Sequence, residues 1–247
     1  FRTVGSSDSI ASPNTTINAI VAEAFCEAAD RLEKAEDFDM AVHDLIKEYM
    51  TKHQRILFSG NGYSKEWYEE AMRRGLPNIQ STIEAAPTLT TDKAVKLFEK
   101  FGIFTRVELE SREEIIYETY AKTINIEALT MIDMAGKDII PAVAAYTGEL
   151  ANTVVTVKEA GAPATAQTEL LVEVDSLLAE AKKALKHLEE CTVDANKIEN
   201  AKERAFYYKD VVDVAMTALR KPVDKLEMIV DSDIWPMPTY GELMFEI

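Results

Sequence analysis

The feature that most restricts the fold is a run of apolar residues, three or four positions apart, in the second half of the sequence. Its first part steps by 4, 3, 4, 4 and 3 residues and consists of Leu170, Val174, Leu177, Ala181, Leu185 and Leu188. Its second part alternates steps of 4 and 3 throughout and consists of Ala201, Ala205, Tyr208, Val212, Ala215, Leu219, Pro222, Leu226 and Ile229. This spacing is typical of helices packed nearly antiparallel in a bundle. The sequence therefore predicts a mainly α-helical chain.

The signals upstream of this run extend the bundle toward the N-terminus. The run Ser111-Arg112-Glu113-Glu114 has the layout of a capping box, so a long helix is predicted over 111–150. Pro141 lies inside that helix and lacks a backbone N–H, which predicts a kink there. Gly161 and Pro163 predict a loop over 152–167. The segment 235–241 contains two prolines and a glycine and is predicted to be extended against a surface.

Helix signals in the first half are shorter and are separated by turns. Ser12 and Pro13 predict the start of a helix with an apolar, buried face formed by Ile17, Ile20, Val21, Ala24, Phe25 and Ala28. Further helices are predicted over 38–52, from the cap Ser64 to Gly75, and from the cap Thr91 to Gly102. The first four residues predict a strand without a partner in the chain, so we expect this sequence to be part of a longer protein.

Charge and composition exclude several classes of function. The 247 residues hold 27 Lys+Arg against 43 Asp+Glu, a formal net charge of −16. A nucleic-acid-binding surface would be basic, and an anionic membrane would attract a polybasic segment that this sequence lacks. No apolar run reaches the roughly 18–20 residues of a membrane span. Two cysteines do not make a disulfide framework, so we expect a reducing, cytoplasmic location.

The residues taken alone reveal no catalytic constellation. The three histidines, His43, His53 and His187, lack the Glu-x-x-His spacing of a di-metal helical bundle, so no metal ligands are predicted. The glycines at 60 and 62 lack the lysine of a phosphate-binding loop. Cys26 and Cys191 are predicted to be inert, and the aromatic residues at 67–68 and 206–208 are predicted to be core. These patterns indicate an acidic helical bundle and nothing more specific.

A resemblance to a known family adds a function to this description. The runs that carry it are Phe1-Arg2-Thr3-Val4-Gly5-Ser6-Ser7, Ile10-Ala11-Ser12-Pro13-Asn14-Thr15, Ile20-Val21-Ala22-Glu23-Ala24, Asn61-Gly62-Tyr63-Ser64-Lys65-Glu66-Trp67, Glu108-Leu109-Glu110-Ser111-Arg112-Glu113-Glu114-Ile115, Lys122-Thr123-Ile124-Asn125-Ile126-Glu127-Ala128 and Trp235-Pro236-Met237-Pro238-Thr239-Tyr240-Gly241-Glu242-Leu243-Met244-Phe245. In this order they resemble the C-terminal portion of class III glutamine synthetases, from the last catalytic strand to the terminus. The match covers nearly the whole chain.

The resemblance implies an enzyme that joins ammonia to glutamate with ATP through a γ-glutamyl phosphate, assisted by Mg²⁺ or Mn²⁺. Arg2 matches the family's strand arginine that faces glutamate and the transferred phosphoryl group, so it is the candidate catalytic and substrate-binding residue. A planar, permanently charged guanidinium suits that role, although simple pairing with a neighbouring acid is the alternative. The family's metal and nucleotide ligands would precede Phe1. We therefore expect this segment alone to bind neither metal nor ATP and to be inactive.

The resemblance also implies a domain layout and partners. Residues 1–57 would finish an α+β catalytic domain with one residual strand, 58–110 would connect, 111–231 would form an antiparallel long-helix bundle, and 232–247 would be an extended tail. The implied partners are the rest of the catalytic domain and identical subunits in a ring-type homo-oligomer, with no nucleic acid and no membrane. The alternative hypothesis is a stand-alone helical scaffold or protein-interaction module without catalysis.

Overall fold

A computed structural model describes residues 9–238 and 240–245, and none of these residues lies in a β-strand. The predicted, mainly helical fold is confirmed in this part of the chain. The predicted strand at residues 1–4 lies outside the described residues. The chain divides into two compact units, Phe1–Glu113 and Glu114–Ile247, and each is described by itself.

The first unit consists of short helices joined by turns. Its α-helices are α1 (Ala11–Leu32), α2 (Phe38–Lys52), α3 (Lys65–Arg73), α4 (Thr82–Ala85) and α5 (Asp92–Lys100), with 3₁₀ turns at Gln54–Ile56 and Ala86–Thr90. The bounds of α2 are those predicted, and α1 begins two residues earlier than its predicted first residue, Pro13. A small core joins α1 to α5, because Ala19, Val95, Phe98 and Leu109 are buried together.

Two of the predicted helix caps are confirmed. The Ser64 hydroxyl accepts a hydrogen bond from the Trp67 backbone N–H at 3.2 Å, and the Thr91 hydroxyl accepts one from Ala94 at 3.3 Å. The glycines at 75 and 102, just past the ends of these helices, have φ values of +69° and +61°. Because a side chain is strained in this left-handed conformation, glycine is favoured at both positions.

The capping box lies six residues earlier than predicted. Helix α6 (Arg106–Met134) begins before Ser111, and its first turn is closed by Thr105 and Glu108. The Glu108 carboxylate accepts hydrogen bonds from the Thr105 backbone N–H at 2.8 Å and from its hydroxyl at 2.9 Å, and the Glu108 N–H donates to that hydroxyl at 3.4 Å. The prediction that Ser111 caps the helix is therefore wrong, because Ser111 lies inside α6.

This difference gives a direct test of the helix start. Replacing Thr105 by alanine is expected to lower the free energy of unfolding by about 1 kcal/mol, since one end of the capping box is lost. Ser111→Ala removes a hydroxyl from the helix interior, so the free energy is expected to change by no more than about 0.5 kcal/mol. Urea unfolding followed by circular dichroism measures both values. A larger loss for Ser111→Ala than for Thr105→Ala would contradict the observed start.

The second unit is built from three long helical segments. The first continues α6 through a π-helical turn (Ala135–Ile139) into α7 (Ile140–Glu159), the second is α8 (Thr165–Ala195), and the third joins α9 (Ala201–Tyr207), a π-helical turn (Tyr208–Val212) and α10 (Asp213–Glu227). The loop predicted over 152–167 is much shorter, because helix continues to Glu159 and resumes at Thr165. The helix predicted to end near residue 150 is correspondingly longer.

The irregularity expected at Pro141 takes the form of the first π turn. Pro141 lies in the first turn of α7, immediately after Ala135–Ile139. A proline inside a helix leaves the carbonyl four residues earlier without its usual partner. The wider π turn lies where that bond is lost, so helical structure continues past the proline.

The predicted apolar seam is confirmed as the core of this unit. Most of its members are buried in two clusters. In one cluster, Ala121 and Ala128 of α6 pack with Leu188 of α8 and with Val212 and Leu219 of the third segment. In the other, the later residues Ile139 and Val143 pack with the earlier α8 residues Val174 and Leu177 and with Leu226. Chain order thus reverses between the first long segment and α8.

The end of the chain packs partly against this core. Ile234 and Trp235 contact the second cluster, which also contains Val230. The predicted extended conformation does not reach residue 241, because a short helix, α11 (Tyr240–Phe245), begins at residue 240. Among the described residues, no helix has both the length and the apolar character needed to cross a membrane.

Candidate functional site

The predicted site residue, Arg2, lies outside the described residues, and so do the neighbouring serines at positions 6 and 7. The structure describes the helix that follows these residues. Helix α1 begins at Ala11, nine residues after Arg2, so α1 is the described element nearest in sequence to the predicted site.

Helix α1 leaves its apolar face uncovered. Ile17, Ile20, Val21 and Phe25 are exposed, with 71% of Phe25 accessible, and Ala19 is the only α1 residue that is fully buried. The periodicity of a packed helix is present, but the prediction that this face is buried is wrong within the described chain. We call Ile17, Ile20, Val21 and Phe25 the α1 apolar face.

Two ion pairs attach α1 to its neighbours. Glu23 pairs with Lys100 of α5 at 2.5 Å, and Arg31 pairs with Glu48 of α2 at 2.9 Å. The Arg31 contact lowers the pKa of the Glu48 carboxyl, first through a hydrogen bond and then through charge attraction. These contacts join α1 to α5 and α2, while the four side chains of the α1 apolar face remain exposed.

Arg74 contacts the loop before α3, and the sequence analysis did not predict these contacts. We call Arg74 and its partners Leu57, Glu70 and Trp67 the clamp. The Arg74 guanidinium donates to the Leu57 carbonyl at 2.8 Å and to the Glu70 carboxylate at 2.5 Å. It also lies 5.6 Å from the centre of the Trp67 ring, which stacks on Phe58 at 4.1 Å. Spacings of three and four residues from Glu70 to Arg73 and Arg74 were the available sequence signal.

The neighbouring arginines lower the pKa of the Glu70 carboxyl group. Hydrogen bonds from Arg73 at 2.6 Å and from Arg74 lower the pKa of Glu70 from 4.5 to about 2. A carboxyl group whose pKa is lower in the folded state adds stability above its unfolded pKa, and this stability is lost as the pH falls toward the folded value. Glu70 is therefore expected to contribute to acid unfolding below a pH of about 4.5.

Glu70→Gln tests this pH dependence. The variant is expected to unfold at lower urea concentration at neutral pH, and the gap from the unmodified protein is expected to close between a pH of about 4.5 and about 2. The matched control is Glu69→Gln, because Glu69 is exposed and forms only a long 3.6 Å ion pair with Lys65. A gap that stays constant over this pH range would show that the arginines do not lower the pKa of Glu70.

Beyond the clamp, the loop presents an exposed tyrosine. Asn61 accepts a hydrogen bond from the Tyr63 backbone N–H at 3.0 Å, which fixes a turn. The Tyr63 side chain is 86% exposed, and Tyr68 on α3 is also exposed. The prediction that residues 67–68 are core is therefore wrong for Tyr68.

A polar contact is buried in the second unit. Tyr208 is buried, and its hydroxyl donates to Asn125 at 2.9 Å and lies 3.4 Å from the Asn196 side-chain oxygen. Burial raises the pKa of this tyrosine. The contact joins the π turn at Tyr208 to α6 and to the end of α8, which is a structural role.

Cys191 has the properties of a packed residue rather than a nucleophile. Its sulfur is buried and lies 3.7 Å from Nε2 of His187. Burial, followed by the charges of Asp194 and Glu190, raises the pKa of the Cys191 thiol. A raised pKa disfavours the thiolate that nucleophilic catalysis requires.

The described residues do not form a metal centre. Among residues 9–238 and 240–245, no three His, Cys, Asp or Glu side chains come close enough to share a metal ion. The carboxylate donors that Mg²⁺ or Mn²⁺ prefers are present but lie apart or pair with lysine and arginine. The prediction that this segment alone binds neither metal nor ATP remains a prediction.

Comparison with known proteins indicates the family, which the geometry of the described residues does not. The family of the glutamine synthetase C-terminal domain matches residues 41–158. A glutamine synthetase of Butyrivibrio fibrisolvens is 39% identical over 208 residues, which are 83% of this chain and 30% of that protein. A type-3 glutamine synthetase of Dictyostelium discoideum is 36% identical over 257 residues, which are 99% of this chain and 35% of that protein.

A third relative extends the same pattern. A glutamine synthetase of Bacteroides fragilis is 33% identical over 255 residues, which are 99% of this chain and 35% of that protein. The resemblance found in the sequence is confirmed by these matches. The chain spans about a third of the length of the curated relatives.

Proposed function

Because this chain belongs to the glutamine synthetase family, we propose that it forms the C-terminal part of an enzyme that makes glutamine from glutamate and ammonia with ATP. The reaction would pass through a γ-glutamyl phosphate, from which ammonia displaces phosphate. The segment alone would be inactive and mainly structural. Its proposed location is the cytoplasm.

The α1 apolar face is the observation that carries this proposal. Four large apolar side chains remain exposed on a helix that is joined to the first unit by two ion pairs. Exposed apolar surface of this kind marks a site of contact with another part of a protein. The relatives are about three times as long as the match, so the occupant that we propose is the rest of the catalytic domain.

Arg2 would serve this enzyme at the start of the segment. Its guanidinium can hold the carboxylate of glutamate with two parallel hydrogen bonds, or stabilise charge that develops on the transferred phosphoryl group. Since α1 follows Arg2 closely, docking of the α1 apolar face would also fix the approach of Arg2 to the substrate. ATP and the divalent cation would be held by residues outside the described part of this chain, and ATP supplies the phosphoryl group when bound.

The second unit would provide packing and subunit contact. The reversed chain order of its two clusters supports the antiparallel bundle over residues 111–231. Residues 1–57 would complete the catalytic domain, 58–110 would connect, and 232–247 would form the tail. Identical subunits in a ring-type homo-oligomer are the proposed partners.

The proposed activity is tested on the intact protein. Purified protein supplied with glutamate, ammonia, ATP and Mg²⁺ is expected to form glutamine and phosphate in equal amounts. The 247-residue chain alone is expected to form neither. Absence of glutamine formation by the intact protein would overturn the proposal and favour the stand-alone helical scaffold.

Phe25→Glu tests the proposed docking of α1. In the 247-residue chain the substitution changes an exposed side chain, so the free energy of unfolding is expected to change by no more than about 0.5 kcal/mol. In the intact protein the new charge would be buried, and a loss of about 3 kcal/mol or more is expected. Urea unfolding of both forms measures the difference. Equal effects in the two forms would show that nothing covers Phe25.

A further inference from the structure

A groove of about 850 Å³ lies within the first unit and is lined by residues of α1, of α5 and of the end of α2. Part of its lining is apolar and includes Ile20 and Ala24 of α1 and Leu97 of α5. Its volume falls in the range of about 300–1,000 Å³ that is typical of small-molecule sites. The groove is therefore large enough for an organic ligand with an apolar body.

Lysines dominate the charge of this groove, although the chain as a whole has a net charge of −16. Lys52 at the end of α2 and Lys93, Lys96 and Lys100 of α5 all line it. Lys100 pairs with Glu23 of α1 at 2.5 Å. Within the described part of the chain, the other three lysines form no ion pair. Their ammonium groups are therefore available to a negatively charged ligand.

Two of these lysines are neighbours on the surface of one helix. Lys93 and Lys96 lie three residues apart on α5, a spacing at which side chains of like charge repel each other and destabilise the helix. Elsewhere in the first unit, neighbouring basic residues share a carboxylate, as Arg73 and Arg74 share Glu70. An anion bound between Lys93 and Lys96 would remove their repulsion in the same way.

The number of charges indicates which kind of anion fits. Glu27 also lines the groove and forms no ion pair among the described residues, so three unpaired lysines against one unpaired glutamate leave two positive charges. His53 lines the groove as well and adds charge only when it is protonated. A phosphate monoester carries about 1.5–2 negative charges at pH 7, and lysine is a common partner of phosphate. A carboxylate carries less negative charge than the groove balances, and ATP carries more.

We propose that this groove binds a small organic phosphate, a phosphate monoester with an apolar body. The phosphate group pairs with Lys93, Lys96 and Lys52, and the body packs against the apolar lining at Ile20 and Leu97. The groove shares only Ile20 with the α1 apolar face, and the binding is separate from the proposed synthetase reaction.

Equilibrium dialysis with 1-naphthyl phosphate tests the proposal. It is carried out on the 247-residue chain and on the intact protein, the latter with excess ATP to fill the proposed catalytic nucleotide site. Saturable binding is expected in both forms. Unsaturable binding to the 247-residue chain, or no binding to the intact protein, would overturn the proposal.

Three analogues test which parts of the ligand are recognised. Binding is expected to be at least about 10-fold weaker for 1-naphthol, which lacks the phosphate, and for inorganic phosphate, which lacks the apolar body. It is expected to be at least about 3-fold weaker for 1-naphthoate, which carries a single negative charge. An analogue that binds as tightly as 1-naphthyl phosphate would refute recognition of the group that it lacks, and with it the proposed ligand class.

Variants of the 247-residue chain assign the binding to this groove. Lys93→Gln and Lys96→Gln are each expected to weaken it about 3- to 10-fold, and Glu27→Gln is expected to strengthen it about 2-fold or more, because it removes the unpaired negative charge. Lys47→Gln is the matched control, since Lys47 is an exposed lysine of α2 that does not line the groove. Lys93 and Lys96 are exposed too, so their variants are expected to fold normally.

The opposite signs expected for the lysine and glutamate variants make the assignment strict. Unchanged binding in both Lys93→Gln and Lys96→Gln would place the ligand elsewhere and refute the site. Weaker binding in Glu27→Gln would contradict the charge balance on which the choice of a phosphate monoester rests. Dialysis requires no turnover, so these outcomes are independent of glutamine formation.

Discussion

Arg2→Ala in the intact protein is expected to lower kcat/KM for ATP-dependent glutamine formation by a factor on the order of 10²–10³ or more. The reason is that a bidentate contact to glutamate or to the transferred phosphoryl group would be lost where charge develops in the transition state. Assembly is expected to be unchanged, because the substitution removes a substrate contact and leaves both helical units intact. Steady-state assays and light scattering measure the two properties on the same preparation.

Two further variants test whether the loss of activity is specific to the Arg2 guanidinium. Arg2→Lys keeps the charge but loses the planar fork, so it is expected to recover only part of the activity. Arg31→Ala is the matched control, since it removes an exposed arginine that pairs with Glu48 on the first unit. Turnover near that of the unmodified protein in Arg2→Ala would refute the role of Arg2. A loss of assembly in the same variant would indicate that Arg2 pairs with a neighbouring acid.

The periodicity of the sequence predicted which faces are apolar, but not what covers them. Val174 and Leu188 belong to a seam whose partners lie within the same chain, and both are buried as predicted. Ile20 and Phe25 show the same helical spacing and are exposed. The two patterns look alike because spacing reflects the burial of a helix face in the finished protein, and the partner can belong to another segment.

Local competition explains the misplaced capping box. The runs beginning at Thr105 and Ser111 both have a hydroxyl residue three positions before a glutamate. Tertiary packing selects the first, because Phe104 packs against the core of the first unit and Leu109 is already buried in it, so helix is required from Arg106 onward.

Clamp contacts such as Arg74 to the Leu57 carbonyl join residues 17 positions apart, a distance that short-range patterns do not capture.

The candidate site was predictable only through resemblance. Arg2 carries no signal of its own in composition or spacing, and its role follows from its match to a family strand. By contrast, Met134, Leu219, Val223 and Trp235 line one groove of the second unit but come from α6, α10 and the segment after α10. Because these residues are far apart in the chain, short-range patterns could not predict that they come together.

Val212→Asp is expected to have the largest effect on stability. Val212 is 0% exposed, and it lies in the second π turn within the cluster that joins α6, α8 and α10. An unpaired carboxylate at this position would be buried without a partner, and the apolar contacts of the valine would be lost as well. We expect a loss of at least about 4 kcal/mol in the free energy of unfolding, so that folding and assembly fail before catalysis is affected.

Val214→Asp separates burial from a general effect of added charge. Val214 lies two residues further on and is 60% exposed, so the same substitution there is expected to change the free energy of unfolding by only about 0.5 kcal/mol. Urea unfolding followed by circular dichroism, with light scattering for assembly, compares the two variants. Because both carry the same new charge on the same helical segment, a large difference between them can arise only from the environment of the side chain. If Val212→Asp stayed folded and assembled with an unchanged unfolding midpoint, the seam would not form the core of the second unit.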